Sequence, residues 1–457
     1  MKKGLLCLSC TAAIGLFALT TTSAQGAGFA LIEQSVSGLG TAFSGAAAAE
    51  DASTVYFNPA GMMLLKGQQV VGGIHYIMPK AEFSKTSATN ALGAPISGGD
   101  GGQGGVNKVV PNLYYAKNFE NMAIGLGINA PFGMATEYDK TWVGRYHAVN
   151  SNVKTININP SVAFKAGEKL SLGVGVSAQK LEVNLTNMVD FGLASYSNHL
   201  TPALTSNKNA DIYADMNADS WGYGYNLGAL YQYSDSGRVG LAYRSKIKHD
   251  VDGDVDFTVQ NPTFLAGVSP LLAGAASAYF PDQGISASMS LPASASLNVY
   301  HEVNPNWAVM ADVTWTQWSS FDTLVINFDQ GIGAGGTNKT SVTAEKWDDN
   351  LRYSLGTTLK TSDALTLRGG VAYDQTPISE DKYRTPRIPD NSRTWLSAGA
   401  GYAITDNVAI NFGYAHLFVK ESKSEKTATG DDQSRGSLKG TYDTSVDIAS
   451  TELVVKF

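Results

Sequence analysis

The chain has 457 residues, a formal net charge of −7, and 16% charged against 43% hydrophobic residues. An acidic balance argues against nucleic acid as a partner, because phosphate neutralisation needs a basic surface. A mean hydropathy of −0.09 argues against a bundle of apolar spanning helices, while 48 Gly, 21 Tyr and 7 Trp suit pleated strands with aromatic girdles.

Lys2 and Lys3 precede an apolar run from Gly4 to about Leu19. This has the charged, apolar and small-residue order of a secretory signal, with Ala24-Gln25-Gly26 as the cleavage region and 1–26 as the removed segment. Cys7 and Cys10, the only cysteines, fall inside it. A lipid anchor on Cys10 is the competing reading. Without thiols in the mature part, disulfides and cysteine-ligated metals are not expected.

Residues 27–67 are rich in small side chains, with Gly38, Gly40, Gly45 and the run Ala46–Ala49. The segment is too long for a strand and too weakly amphipathic for an independent domain. A wide barrel has a lumen that side chains alone do not fill, so this segment is expected to be a plug; a loose periplasmic tail is the alternative.

Residues 68–457 read as fourteen extended, partly alternating segments, an all-β antiparallel transmembrane barrel. In Thr155–Phe164, Ile156, Ile158, Val162 and Phe164 share one face and Thr155, Asn157, Asn159 and Ser161 the other. Pro160 cannot donate to a ladder and suggests a bulge. Trp221, Tyr223, Tyr225, Tyr231 and Tyr233 mark both ends of one face, as at two membrane interfaces. Short turns alternate with long connections near 85–106, 132–151, 188–217, 260–283, 328–345, 379–391 and 426–441, as in outer-membrane barrels. The apolar stretch Phe264–Phe280 is too short to span as a helix and contains Pro270, so an apolar helical hairpin is expected there. The last strand ends on Phe457, with Leu453 and Val455 on the same face. A terminal strand must pair to be stable, and it also offers the barrel-assembly machinery a docking segment.

Catalytic patterns are weak. There is no Gly-x-Ser-x-Gly elbow and no pair of zinc-binding histidines, and His75, His147, His199, His249, His301 and His416 are scattered. Gly331-Ile-Gly333-Ala-Gly335-Gly336 lies between strands rather than opening a helix, so it reads as a loop. Asp431-Asp432 could at most hold a cation weakly. No enzyme activity, cofactor or metal is expected.

Several stretches together resemble the FadL-type long-chain fatty acid and hydrocarbon transporters of the outer membrane. They are Ala27-Gly28-Phe29, Ser37-Gly38-Leu39-Gly40, Asn58-Pro59-Ala60, Ala130-Pro131-Phe132-Gly133, Gly144-Arg145-Tyr146, Trp315-Thr316-Gln317-Trp318 and Pro386-Arg387-Ile388-Pro389-Asp390. The resemblance implies a fourteen-strand barrel closed by an N-terminal hatch, with the substrate leaving sideways at a kinked third strand. It implies that Phe29 and Phe132 touch substrate and that Asn58, Pro59 and Ala60 sit against the third strand. Gly125, Gly127 and Pro131 would permit the kink.

Sideways exit has its own physical rationale, since each buried methylene is worth about 0.8 kcal/mol that a watery pore would forfeit. Leu265, Leu271 and Leu272 are candidates for an outer capture groove. Arg244 and Lys246 share one face of a continuous strand with Lys248, expected to be luminal; with Arg145 they could bind a carboxylate. A plain luminal salt-bridge network with Asp312 or Glu452 is the alternative. Long-chain fatty acid is the expected cargo, an aromatic hydrocarbon the second choice. A lipid hydrolase and a structural or adhesin barrel are the readings from other classes.

Overall fold

The computed structural model describes residues 27–197 and 204–457; the expected signal and His199 lie outside them. Fourteen antiparallel strands form a closed barrel. They are β1 Gln68–Thr89, β2 Lys108–Asn118, β3 Met122–Asn129 with Gly133–Glu137, β4 Asn150–Lys165, β5 Leu170–Val189 and β6 Ile212–Ser234. There follow β7 Gly237–Arg244 with Ile247–Val259, β8 Gln283–Leu291 with Ser294–Asn304, β9 Trp307–Thr316 with Thr323–Ile332, and β10 Asn338–Ala344 with Asn350–Lys360. The last are β11 Leu365–Asp374, β12 Arg393–Thr405, β13 Val408–Val419 with Ser422–Lys426, and β14 Ser437–Lys456. β14 pairs with β13 on one side and with β1 on the other, from Gln69 opposite Lys456 to Thr89 opposite Ser437. The Phe457 amide donates to the Gln68 carbonyl at 2.9 Å, so the chain end is tied into the seam.

Alternation sorts the two faces. Phe119, Phe164, Tyr231, Trp307, Tyr402 and Phe457 are exposed at the short-turn end, and Trp221, Tyr223, Tyr353 and Phe418 toward the other. These are the two interfacial belts. Just beyond Trp221 the outward side chains become charged, with Lys180 paired to Asp219 and Lys154 to Glu182.

Pro160 causes no bulge. Residues on both sides of it keep one register with β5, Ile158 opposite Ala178 and Ser161 opposite Gly175. Asn159 Nδ2 donates to the Val176 carbonyl at 2.7 Å, supplying the bond that proline cannot. The connection expected near 328–345 is also shorter than its composition suggested. β9 runs to Ile332 and β10 resumes at Asn338, because Gly331, Gly333, Gly335 and Gly336 all take positive φ and turn the chain tightly.

Five strands, β7, β8, β9, β10 and β13, break at adjacent registers. Arg244 faces Ser294, Ser294 faces Thr316, and Thr316 faces Asn350. Next to them Arg352 faces Asp374, Asp374 faces Arg393 and Arg393 faces Val419. Each break follows or precedes one of these residues, so the barrel changes character at one level. The strand ends there give a polar ring, and the breaks insert bulky side chains above it.

Residues 27–67 occupy the lumen. Helix α1, Val36–Gly40, is capped by the Ser35 hydroxyl, and helix α2, Thr54–Phe57, leads into a 3₁₀ turn, Pro59–Leu64. The hatch lies against the wall at two glycine patches. A Cβ at Gly370 would come within 2.2 Å of the Thr41 carbonyl carbon, and one at Gly228 within 2.2 Å of Asn58 Oδ1. Arg368 pairs with Glu50 at 2.7 Å, and Glu452 accepts from the Val36 amide at 3.1 Å.

Candidate transport site

Above the polar ring lies a chamber with about 790 Å³ of empty volume. Its lining includes Phe29, Met134, Val153, Leu185, Met216, Val251, Ile285, Phe321 and Ile326, with Glu345 and Arg387 as its charged members. Its wall is apolar with few polar groups, the lining expected of a site for an apolar ligand. Burial raises the Glu345 carboxyl to about 7 and lowers the Arg387 guanidinium to about 10.

The floor of the chamber is aromatic. Phe29 lies 4.8 Å from Trp318, 5.4 Å from Phe321, 5.9 Å from Trp347 and 6.1 Å from Phe132 between ring centroids. Trp318 and Phe321 come from the break in β9, Trp347 from that in β10 and Phe132 from that in β3. Beneath the floor is a second cavity of about 680 Å³, lined by Leu31, Ile32, Tyr56, Arg244, Arg352 and Asp374 among others.

Beside the floor the wall is incomplete. β2 pairs with β3 only from Leu113 to Asn118, while Lys108–Asn112 pair with β1 alone. The second piece of β3, Gly133–Glu137, pairs with β4 along its length and on its other side is met only at its end, where Thr136 bridges Gly105 and Glu137 N donates to Gly104 O at 2.9 Å. A one-residue slip separates the pieces, since Asn129 faces Asn157 but Gly133 faces Lys154. Hatch backbone borders this gap. Leu31 N donates to Pro131 O at 2.8 Å, Gly133 N to Phe29 O at 2.9 Å, and Gln34 Nε2 to Ala130 O at 2.9 Å. Lipid-facing Tyr76 and Val109 lie next to it, and the exposed Lys80–Asp443 pair further along β1 marks water.

Comparison with known proteins bears on this arrangement. The family described as outer membrane protein transport protein (OMPP1/FadL/TodX) matches residues 17–457. The chain belongs to that family. A putative outer membrane protein of Neisseria meningitidis is 31% identical over 96% of this chain and 97% of its own. A long-chain fatty acid transport protein of Escherichia coli is 31% identical over 92% and 94%. A crystal structure of a Pseudomonas aeruginosa FadL homologue superposes with a TM-score of 0.83 at 27% identity, covering 94% of this chain and all of that one. A Pseudomonas putida toluene transporter gives 0.62 at 18% identity over 89% and 94%, a likeness of fold alone. Membership places the chain in the outer membrane as a carrier of hydrophobic compounds.

Within this FadL-type barrel the sequence-predicted residues separate. Phe29 and Phe132 meet in the chamber floor, and Pro131 lies in the β3 break. Asn58 Oδ1 accepts from Ala60 N at 3.1 Å and caps the turn, but the Asn58-Pro59-Ala60 turn does not sit on the third strand. Asn58 Nδ2 donates to Ala229 O and Leu241 O at 3.1 and 3.3 Å, and Ala60 N would lie 2.5 Å from a Cβ at Gly173. The turn is therefore anchored on β5, β6 and β7. The third strand meets the hatch at Gly125, where a Cβ would strike Met62 and Val55, whereas Gly127 faces Tyr114.

The shared luminal face expected for Arg244, Lys246 and Lys248 is corrected. Asn226 faces Arg244 but Asp219 faces Asp252, a one-residue slip at Ser245–Lys246 that reverses the facing of the second piece of β7. Arg244 stays inside, donating to Tyr56 O at 2.8 Å, while Lys246 and Lys248 are exposed outside. Arg145 is fully buried and 2.6 Å from Asp211, with further bonds to Ser97, Trp142 and Ser206 carbonyls, so its donors are already engaged in the outer loops. Asp432 likewise pairs with Lys426 and Arg435.

The hairpin over Phe264–Phe280 is present as α4, Pro262–Val268, and α5, Pro270–Tyr279, after α3, Phe191–Ser197. Leu265 and Leu272 turn inward onto Phe191, Ile212 and Phe280, while Leu271 is 69% exposed. Sequence reasoning missed Trp318, Trp347, Arg352 and Arg387 as site residues. Strand breaks bring them inward, and no spacing rule announced those breaks.

Proposed function

We propose that this protein carries long-chain fatty acids passively through the outer membrane. Cargo enters the apolar chamber and leaves sideways at the β3 gap. The observation that carries the proposal is the adjacency of the aromatic chamber floor to a stretch of wall bordered by hatch backbone. A chain moving from chamber to gap stays against apolar surface, and each methylene kept from water contributes about 0.8 kcal/mol. The exposed Leu271 and Val268 of the helical hairpin offer a first capture surface. The E. coli relative named for long-chain fatty acid transport shares 31% identity over almost the whole length, which favours acyl cargo over aromatic. No step requires a catalytic group, a cofactor or an energy source, and the Phe457 strand serves recognition by the barrel-assembly machinery.

The test is uptake of labelled oleate and labelled toluene by cells deprived of their own fatty acid porter and carrying this protein. Oleate uptake should rise well above toluene uptake. Deleting Pro131, which removes the extra residue from β3, should abolish the rise while the barrel remains folded. Undiminished oleate uptake in that deletion would rule out exit at the gap.

A further inference from the structure

Arg387 stands apart from the other loop arginines. Arg145, Arg384, Arg393 and Arg435 each pair with a carboxylate. Among the described residues Arg387 has none within 4 Å. Its guanidinium donates to Asn150 O at 3.1 Å, Ser151 Oγ at 2.9 Å and Asn187 Oδ1 at 3.4 Å, all neutral acceptors. It nevertheless lines the apolar chamber, where burial disfavours its charge and only the longer-range attraction of Glu345 offsets this among its acidic neighbours. Pro386 and Pro389 flank its loop and limit the backbone freedom with which it could withdraw. The chamber's other charged lining residue, Glu345, is 4% exposed; the Trp347 indole lies against its carboxyl, and among the described residues Oε2 makes no hydrogen bond of full geometry. Two incomplete polar groups thus face one apolar volume.

We infer that Arg387 receives the carboxylate of an amphipathic substrate in the outer chamber, with Glu345 Oε2 completing the head-group site. The inference rests on the fatty acid reading above and adds the group that selects an acid over an uncharged chain. An ionised carboxylate accepts from the guanidinium in a charge-assisted bond. Glu345, raised by burial to about 7, holds its proton below that pH and there donates to the same head group instead of opposing it.

Position then sets orientation. Arg387 is bonded at Asn150 and Ser151 on β4, whereas Phe29 borders Gly133, which faces Lys154. Four residues of strand separate these levels, roughly 13 Å at 3.3 Å per residue. The head therefore sits at the rim and the chain points at Phe29 and the gap, so the cargo leaves tail first.

The test is equilibrium binding of oleate and of oleyl alcohol to the detergent-solubilised full chain, read by ligand competition. The wild type should bind oleate at least tenfold more tightly than the alcohol. Arg387→Gln should erase that ratio by weakening oleate alone, and Arg387→Lys should restore part of it. Equal weakening of both ligands by Arg387→Gln, or an unchanged ratio, overturns the assignment. If Arg387→Gln does not fold, the wild-type ratio and the Arg387→Lys variant decide: a wild-type ratio near one, or one that the lysine variant leaves untouched, overturns it. A wild type that binds neither ligand sinks the fatty acid reading itself, whereas equal binding of both sinks only the role of Arg387.

Discussion

The backbone amide of Leu31 donates to the carbonyl of Pro131 across 2.8 Å, so a hatch residue bonds the strand that borders the gap in the wall. Hatch seating and gap geometry are therefore one problem. Any change that shifts residues 29–34 also removes the hydrogen-bond partners of Ala130, Pro131 and Gly133.

Phe29→Ala is expected to loosen this arrangement. Phe29 is 2% exposed among four aromatic rings, and emptying such a site typically costs about 3–5 kcal/mol. The chamber and the cavity beneath it would merge. Oleate uptake should fall and sensitivity to large apolar antibiotics should rise, with barrel heat-modifiability unchanged. Unaltered antibiotic sensitivity would show that Phe29 does not divide the two spaces.

Asn58→Ala removes both the cap on Ala60 and the bonds to Ala229 and Leu241. Each such bond is worth about 1 kcal/mol, so the loss is roughly 2–3 kcal/mol of hatch anchoring. Transport should drop while surface abundance stays near normal, and the hatch should become cleavable by protease added from the periplasmic side. Parallel loss of transport and protein would assign Asn58 a purely structural role.

Gly228→Ala and Gly370→Ala should both unseat the hatch, because the new Cβ meets hatch atoms at 2.2 Å. Gly72→Ala is the matched control, since its nearest neighbour would be Leu113 Cδ1 at 3.8 Å. The first two should raise protease access to residues 27–67 and the third should not. Comparable access in all three variants would refute the close approach.

Arg145→Gln leaves Asp211 buried without its cation, a loss of about 3–5 kcal/mol in comparable sites. The outer loops should become sensitive to proteolysis, while the oleate-to-alcohol binding ratio should be that of the wild type. A changed ratio would return Arg145 to the binding site.

Glu33 gives the hatch a pH response. It is wholly buried in the lumen, and burial raises its carboxyl to about 7 against the lowering effect of its own backbone amide and of Arg393 and Arg352, with Asp374 adding to the rise. The folded value lies above the ordinary 4.5, so the stabilising contribution is full below that pH and is lost as pH rises through about 7. The hatch should resist protease better at pH 5.5 than at pH 8.5. Glu33→Gln should remove most of the difference; a wild type indifferent to pH would contradict the assignment.

How much of this was legible in the sequence follows from how local each signal is. Faces of strands such as Thr155–Phe164 are written in every second residue, and lipid and lumen enforce them. The helical hairpin could be read because Pro270 and an uncharged run sit side by side. What escaped reading depends on register. A single extra residue at Ser245–Lys246 turned Lys246 to the outside, although the pattern around it looked unbroken. The Pro160 bulge failed because its neighbour Asn159 repairs the ladder from a side chain. The docking of Asn58 on β5 to β7 was invisible because Gly173, Gly228 and Gly240 become a patch only once strands are aligned.

The glycine surfaces also constrain the order of assembly. Residues 36–44 lean on Gly370 of β11, Gly399 of β12 and Gly413 of β13, and Glu452 of β14 holds the Val36 amide. This stretch of the hatch thus acquires its resting place only when the final hairpins arrive. Closing the seam at Phe457 and bringing β11 to β14 together therefore precede the seating of residues 36–44 against that part of the wall.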